Sequence, residues 1–159
     1  MKAIQIKKTG GPEALEVVEI PVPQPKPNEA VVKVAASGVN FIDVYHREGR
    51  YPVALPFVMG QEGAGVVSAV GAEVKSVQTG ERVAWTSVMG SYAEYVAVPA
   101  DPLVKIPQGG SKREAAAVML QGMTAHYMTY TTLPLKRGDT GIVQGAAGGA
   151  GAVVRPTVH

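Results

Sequence analysis

Seven residues, Gly145-Ala146-Ala147-Gly148-Gly149-Ala150-Gly151, follow the apolar run Gly141-Ile142-Val143-Gln144 and carry the spacing of a phosphate-binding turn. Glycine is needed at such a turn because the backbone must bend tightly off a strand, approach a pyrophosphate closely, and open a helix whose N-terminal amides face the anion. Gly148, Gly149, Ala150 and Gly151 are therefore candidate cofactor-binding residues, with Gly145 making the bend. A helix of about ten residues, a second strand and a ribose-reading residue about twenty positions on would complete the pattern. Here the sequence meets Arg155-Pro156, expected to stop the helix, and reaches His159.

A second group of polar residues lies upstream. Asn40 precedes Phe41, Ile42, Val44 and Tyr45, apolar positions among Asp43, His46, Arg47 and Glu48 that predict a short helix, with Asn40 as its cap and Gly49 as its end. Asp43 would share a helix face with Arg47, and an exposed ion pair is expected there. Tyr45 and Tyr51 offer phenol donors and flat rings; Tyr51, in a loop between Arg50 and Pro52, is the preferred catalytic candidate. Gln61 and Glu62 lie between Gly60 and Gly63, where close backbone packing is expected, with Glu62 read as structural. Histidines 46, 126 and 159 have no metal-ligand spacing and no triad partners, so packed or solvated imidazoles are expected.

Elements that could position these groups follow from the pattern of the chain. Up to about residue 107, β-rich runs alternate with glycine and proline punctuation: 3–8, 15–20, 30–37, 63–70, 82–86, 92–98 and 103–106. Gly10-Gly11-Pro12 makes the first turn, and the prolines at 21, 23, 25 and 27 make an extended connector. Many short strands with frequent turns predict a barrel or sandwich. After Gly109-Gly110 the period changes: Ser111 with Glu114 forms a capping-box pattern ahead of a helix over 115–130, in which Met119, Met123, Met128, Tyr127 and Tyr130 are expected to pack. Lys136-Arg137-Gly138-Asp139 then turns into a short strand before the glycines.

Composition bounds the partners. The 159 residues are 46% hydrophobic, and a net charge of +2 arises from 15 basic and 13 acidic residues with no basic block, which gives no case for nucleic acid or membrane binding. The absence of cysteine excludes disulfides and thiolate metal sites and suits a reducing compartment. No apolar stretch reaches about eighteen residues. A cytoplasmic protein acting on small molecules, or on copies of itself as a homo-oligomer, is expected.

Four segments in this order resemble the medium-chain dehydrogenase/reductase superfamily, and within it the zinc-free quinone oxidoreductases related to zeta-crystallin. They are Gly10-Gly11-Pro12-Glu13 with Leu15; Ser37-Gly38-Val39-Asn40-Phe41-Ile42-Asp43 with Arg47, Gly49, Tyr51 and Pro52; Gly60-Gln61-Glu62-Gly63-Ala64-Gly65-Val66-Val67 with Val70-Gly71; and Gly122-Met123-Thr124-Ala125-His126-Tyr127 ahead of the glycine loop. The resemblance implies a mainly β chain with α: a GroES-like β-barrel catalytic domain over 1–124, then the first helix, strand and glycine loop of an incomplete Rossmann domain over 125–159. It implies NADPH as cofactor, a quinone or conjugated enone as acceptor, Asn40 and Thr124 near the nicotinamide, and Asn40, Asp43, Tyr51 and Gln61 in the catalytic site. It also implies that most of a Rossmann domain and a return segment would follow, so that these residues alone make a poor enzyme. The alternative is a non-catalytic binding or structural module that self-associates.

In the zinc-dependent relatives a cysteine stands where this chain has Asn40, a histidine where it has Gln61, and a cysteine where it has Leu120. An amide is a poor zinc ligand and leucine is none, so no zinc is expected. The chemistry agrees. An alkoxide's conjugate acid has a pKa of about 16, whereas the phenolate-like anion of a reduced quinone sits near about 10, a difference of roughly 8 kcal/mol less charge to stabilise. Neutral hydrogen-bond donors then suffice.

Overall fold

The computed structural model describes residues 1–132, 134–136 and 138–157. Arg137 and His159, named above, lie outside the described residues. The chain divides into two compact units, residues 1–117 and 118–159.

The first unit is β-rich. Strands β1 (Lys2–Ile6), β2 (Glu16–Glu19), β3 (Glu29–Ser37), β4 (Phe57–Val58), β5 (Glu62–Val70), β6 (Arg82–Thr86), β7 (Tyr95–Pro99) and β8 (Val104–Lys105) form two antiparallel sheets, ordered β2-β1-β4 and β7-β3-β5-β6-β8. Seven of these strands fall on the expected runs. β4 has no counterpart there, because two residues beside Pro56 give no alternation to detect. The expected barrel is resolved as these two open sheets, joined by an Ala3–Ala93 bridge and by the Ile4 N–H donating to the Tyr92 carbonyl at 2.7 Å. Short strands and register shifts in the β3–β5 ladder leave the circle without continuous pairing.

Alternating residues of β3, β5, β6 and β7 place Val32, Val67, Val83, Trp85, Val96 and Val98 in one core. Close packing here requires glycine at two points of β5. A Cβ on Gly65 would lie 2.1 Å from the Lys33 carbonyl oxygen, and one on Gly63 would meet the Trp85 ring at 2.8 Å. Helix α1 (Phe41–Glu48) connects β3 to β4 and ends, as expected, at Gly49 with φ +78°. The expected strand at 92–98 begins only at Tyr95, which leaves Ser91 and Tyr92 in the loop before β7.

Helix α2 (Lys112–His126) begins with the expected Ser111–Glu114 box: the Glu114 N–H donates to Ser111 Oγ at 3.1 Å, and the Ser111 hydroxyl donates to the carboxylate at 2.9 Å. Its last turns widen into a π-helical stretch, Tyr127–Thr132, where Thr129 Oγ1 donates back to the Ala125 carbonyl.

In the second unit several expectations are corrected. Met123, Met128, Tyr127 and Tyr130 do not pack into a core; all four are exposed, and the buried residues there are Ala125, Thr129 and Gly151. Met123, Tyr127 and Tyr130, at i, i+4 and i+7, have the spacing of a common face, and all three are exposed. Residues 141–144 make no strand, since a strand needs a partner to pair with and Ile142 is 93% exposed. Helix α3 (Gly149–Thr157) runs past Pro156 instead of stopping there. Proline's fixed φ is itself helical; what it removes is one N–H.

Candidate functional site

The polar residues of the first unit converge around the start of α1. The chain leaves β3 at Ser37, whose hydroxyl donates to the Ser91 carbonyl, and Asn40 then precedes the helix in an extended conformation. Asn40 is buried, and its Nδ2 donates to Glu62 Oε2 at 2.7 Å. Glu62 opens β5 with no exposed surface; its carbonyl accepts from Gly38 N–H, and its own N–H reaches Ser91 Oγ at 3.3 Å.

Asp43 faces the same cluster. Its Oδ2 accepts from the Asn40 backbone N–H at 2.9 Å and from the Tyr92 hydroxyl at 2.7 Å. The expected exposed ion pair with Arg47 is corrected: both residues are buried, Asp43 turns to Asn40 and Tyr92, and Arg47 Nη2 reaches Glu48 at 3.6 Å. Two hydrogen bonds to donors fixed by the fold hold the carboxylate better than one long, mobile cation. Burial, and then the hydrogen bond to Asp43 with the negative charges of Asp43 and Glu62, push the Tyr92 phenol well above its ordinary value.

The remaining candidates take different places. Gln61 is buried beside Glu62, behind Gly60, which has φ +82° and where a Cβ would strike Tyr92 and Ser91. Tyr51 is half exposed and belongs to an aromatic cluster, edge to face with Tyr45 at 5.4 Å and with His46 at 6.0 Å. His46 is buried against this ring and Phe57, whereas His126 stacks on Tyr130 at 4.9 Å. A groove of about 510 Å³ runs beside the cluster, lined by Ile4, Val34, Val39, Ser91 and Tyr92 among others. Among the described residues no group of three His, Cys, Asp or Glu is placed to hold a metal ion.

Tyr92 and Ser91 were not legible as site residues. Their neighbour Gly90, with φ +100°, was the available signal of a turn that delivers them.

The second unit holds the glycine turn and Thr124. Gly145 has φ +65° and its carbonyl accepts from Gly148 N–H at 2.8 Å, after which Gly148 accepts from Ala152 as α3 begins. A Cβ on Gly151 would lie 2.3 Å from the Gly145 oxygen, and one on Gly149 would lie 2.6 Å from the Gln121 side chain. Backbone contact requires glycine at 151, whereas at 149 the neighbour is a side chain. Thr124 is half buried on α2.

Comparison with known proteins agrees with this geometry. Residues 26–108 match the alcohol dehydrogenase GroES-like domain. The chain is similar to the quinone oxidoreductase of Pseudomonas aeruginosa, 44% identical over 152 residues, covering 94% of this chain and 47% of that protein. Among solved structures it resembles the Pseudomonas syringae pv. tomato DC3000 quinone oxidoreductase (TM-score 0.94, 43% identity, 96% of this chain and 48% of that one). It also resembles Escherichia coli quinone oxidoreductase complexed with NADPH (TM-score 0.94, 38% identity, 97% and 48%). The chain spans about half the length of the relatives it matches. A β-rich unit with Asn40 and Glu62 joined at its centre, and a family match over more than half the residues, lead to one assignment: this chain belongs to the alcohol dehydrogenase GroES-like domain family.

Proposed function

We propose that the chain carries the catalytic domain, residues 1–124, and the opening of the nucleotide-binding domain, residues 125–159, of a zinc-independent NADPH:quinone oxidoreductase. The observation that carries this reading is the Asn40–Glu62 contact. Where a zinc-dependent relative has a thiolate, this chain has the Asn40 amide, a poor zinc ligand, whose nitrogen donates to Glu62 at 2.7 Å. The similarity to a quinone oxidoreductase complexed with NADPH supports the cofactor.

The residues present fit part of that cofactor. Gly148, Gly149, Ala150 and Gly151, at the start of α3, carry nothing larger than a methyl group, which suits close approach of a pyrophosphate to backbone amides. Thr124 and Asn40 are proposed for the nicotinamide end. When bound, NADPH supplies the hydride. Asn40 donates or accepts without becoming charged, Asp43 and Gln61 support it, and the Tyr51 hydroxyl donates to the acceptor's oxygen while its ring lies against a flat quinone or enone. Neutral donors of this kind suffice for a phenolate-like product. A cytoplasmic setting is proposed; no helix among the described residues is long and apolar enough to cross a membrane.

The reading is tested with a chimera in which the second half of the P. aeruginosa relative follows residue 152. Quinone-dependent NADPH oxidation is expected from the chimera and little or none from the 159 residues alone, which span about half the length of the relative. A folded chimera inactive toward quinones and enones alike would refute it. Self-association is proposed from the exposed Met123, Tyr127, Tyr130 and Ile142, and sedimentation velocity would read it: a monomer at all concentrations contradicts it.

A further inference from the structure

We propose that Glu62 is a positioning residue that fixes the sense of the Asn40 amide. Its catalytic meaning rests on the functional reading above, while the contact itself rests on geometry alone. The two ends of a primary amide have nearly the same shape and opposite hydrogen-bonding character, so a buried asparagine holds one sense only where a neighbour discriminates. An ionised carboxylate only accepts, and against it the NH2 end is the one that bonds. Glu62 Oε2 lies 2.7 Å from Asn40 Nδ2, and this turns Oδ1 the other way, in keeping with the capping box in which the Asn40 side chain faces the Asp43 N–H.

The carboxylate is itself held. A Cβ on Gly38 would lie 2.2 Å from Glu62 Oε2, so the space that a side chain at position 38 would take is the space the carboxylate occupies. The backbone of Glu62 pairs with Thr86 across β5 and β6, and its carbonyl accepts from Gly38 at 3.1 Å. At the other end of Asn40, the backbone N–H is tied to Asp43, whose Oδ2 also holds Tyr92. Asn40 is thus fixed at main chain and side chain by two different carboxylates. Ligands then meet one amide orientation, with no cost of selecting between two at each turnover.

The sequence contains two asparagines, Asn28 and Asn40, so ¹⁵N-asparagine labelling gives two side-chain NH2 groups, one exposed and one buried. In the 159-residue chain, Asn40 is expected to show one downfield amide hydrogen in slow exchange with solvent, against fast exchange at Asn28. Glu62→Gln, which replaces the charge-assisted bond by a neutral one, should abolish the downfield position; Glu62→Leu should also abolish the slow exchange. Should the leucine variant not fold, the glutamine variant decides. Asn40 exchanging like Asn28, or signals unchanged in Glu62→Gln, would overturn the proposal. Activity is read separately: if the signature is present and the Asn40→Ala chimera keeps full turnover, the functional reading fails while the contact stands.

Discussion

In residues 1–117, Trp85, Ile6, Val32 and Val98 are completely out of water, whereas in residues 118–159 Met123, Tyr127 and Tyr130 are more than half exposed and Ile142 almost wholly so. Both stretches carry a candidate site. The site in the first is assembled over distance: Asn40 meets Glu62 across 22 positions of sequence, and Asp43 meets Tyr92 across 49. The glycine turn in the second is hydrogen-bonded over three and four residues, Gly148 to Gly145 and Ala152 to Gly148, with the Gln121 side chain packed on Gly149. A backbone turn needs only permissive φ angles nearby, while a side-chain network needs a core that holds separate strands in register. The contrast separates a backbone turn, which can be local, from a side-chain network, which cannot.

The sharpest way to break this contrast is to remove the centre of one region and an equally apolar residue of the other. Trp85→Ala should destabilise the first region by about 3–5 kcal/mol, and Ile142→Ala should change stability by less than about 0.5 kcal/mol; urea unfolding followed by circular dichroism reads both. Equal effects would mean that Ile142 is covered in solution. Glycine substitutions sharpen the point. Gly65→Ala forces a Cβ against the Lys33 carbonyl and should cost roughly 1–3 kcal/mol or more, while Gly141→Ala, with nothing within 4 Å, should be neutral within about 0.5 kcal/mol.

A smaller effect tests the network itself. Tyr92→Phe removes one hydrogen bond to Asp43 and should cost about 0.5–1.5 kcal/mol. It should also change the alkaline limb. In the unfolded chain a tyrosine ionises near about 10, and folding pushes Tyr92 higher, through burial first and then the carboxylates of Asp43 and Glu62. Above about pH 10 the folded state therefore binds more protons than the unfolded state, so this contribution is full below that pH and is lost as pH rises. Tyr92→Phe should flatten that decline in thermal melts taken from pH 9 upward; an unchanged decline would place its origin elsewhere.

What was legible in the sequence follows the same division. β-Rich runs between glycine and proline punctuation locate seven strands, and Asn40 with Gly49 locates the ends of α1, because composition and caps act over a few residues. The glycine turn was legible for the same reason. Helix spacing pairs Asp43 with Arg47 because it speaks only of neighbours on that helix, whereas the partner Tyr92 arrives from a loop 49 residues away. Glu62 was read as structural, and its place beside Asn40 depends on Gly38 lacking a side chain, a fact about packing that no periodicity carries. The exposure of Met123 and Tyr127 was missed because an apolar helix face reads the same whether or not another element covers it.

The proposed reaction is hydride transfer without a metal, with Asn40 as its organising residue. It is tested most directly by measuring quinone-dependent NADPH oxidation in the chimera after exhaustive chelation, with zinc content read by mass spectrometry, alongside Asn40→Ala. Full turnover by metal-free protein and a loss of roughly 10²-fold or more in the variant are expected if Asn40 acts on the developing charge. Activity that returns only with added zinc, or an Asn40→Ala chimera as fast as its parent, would contradict the account.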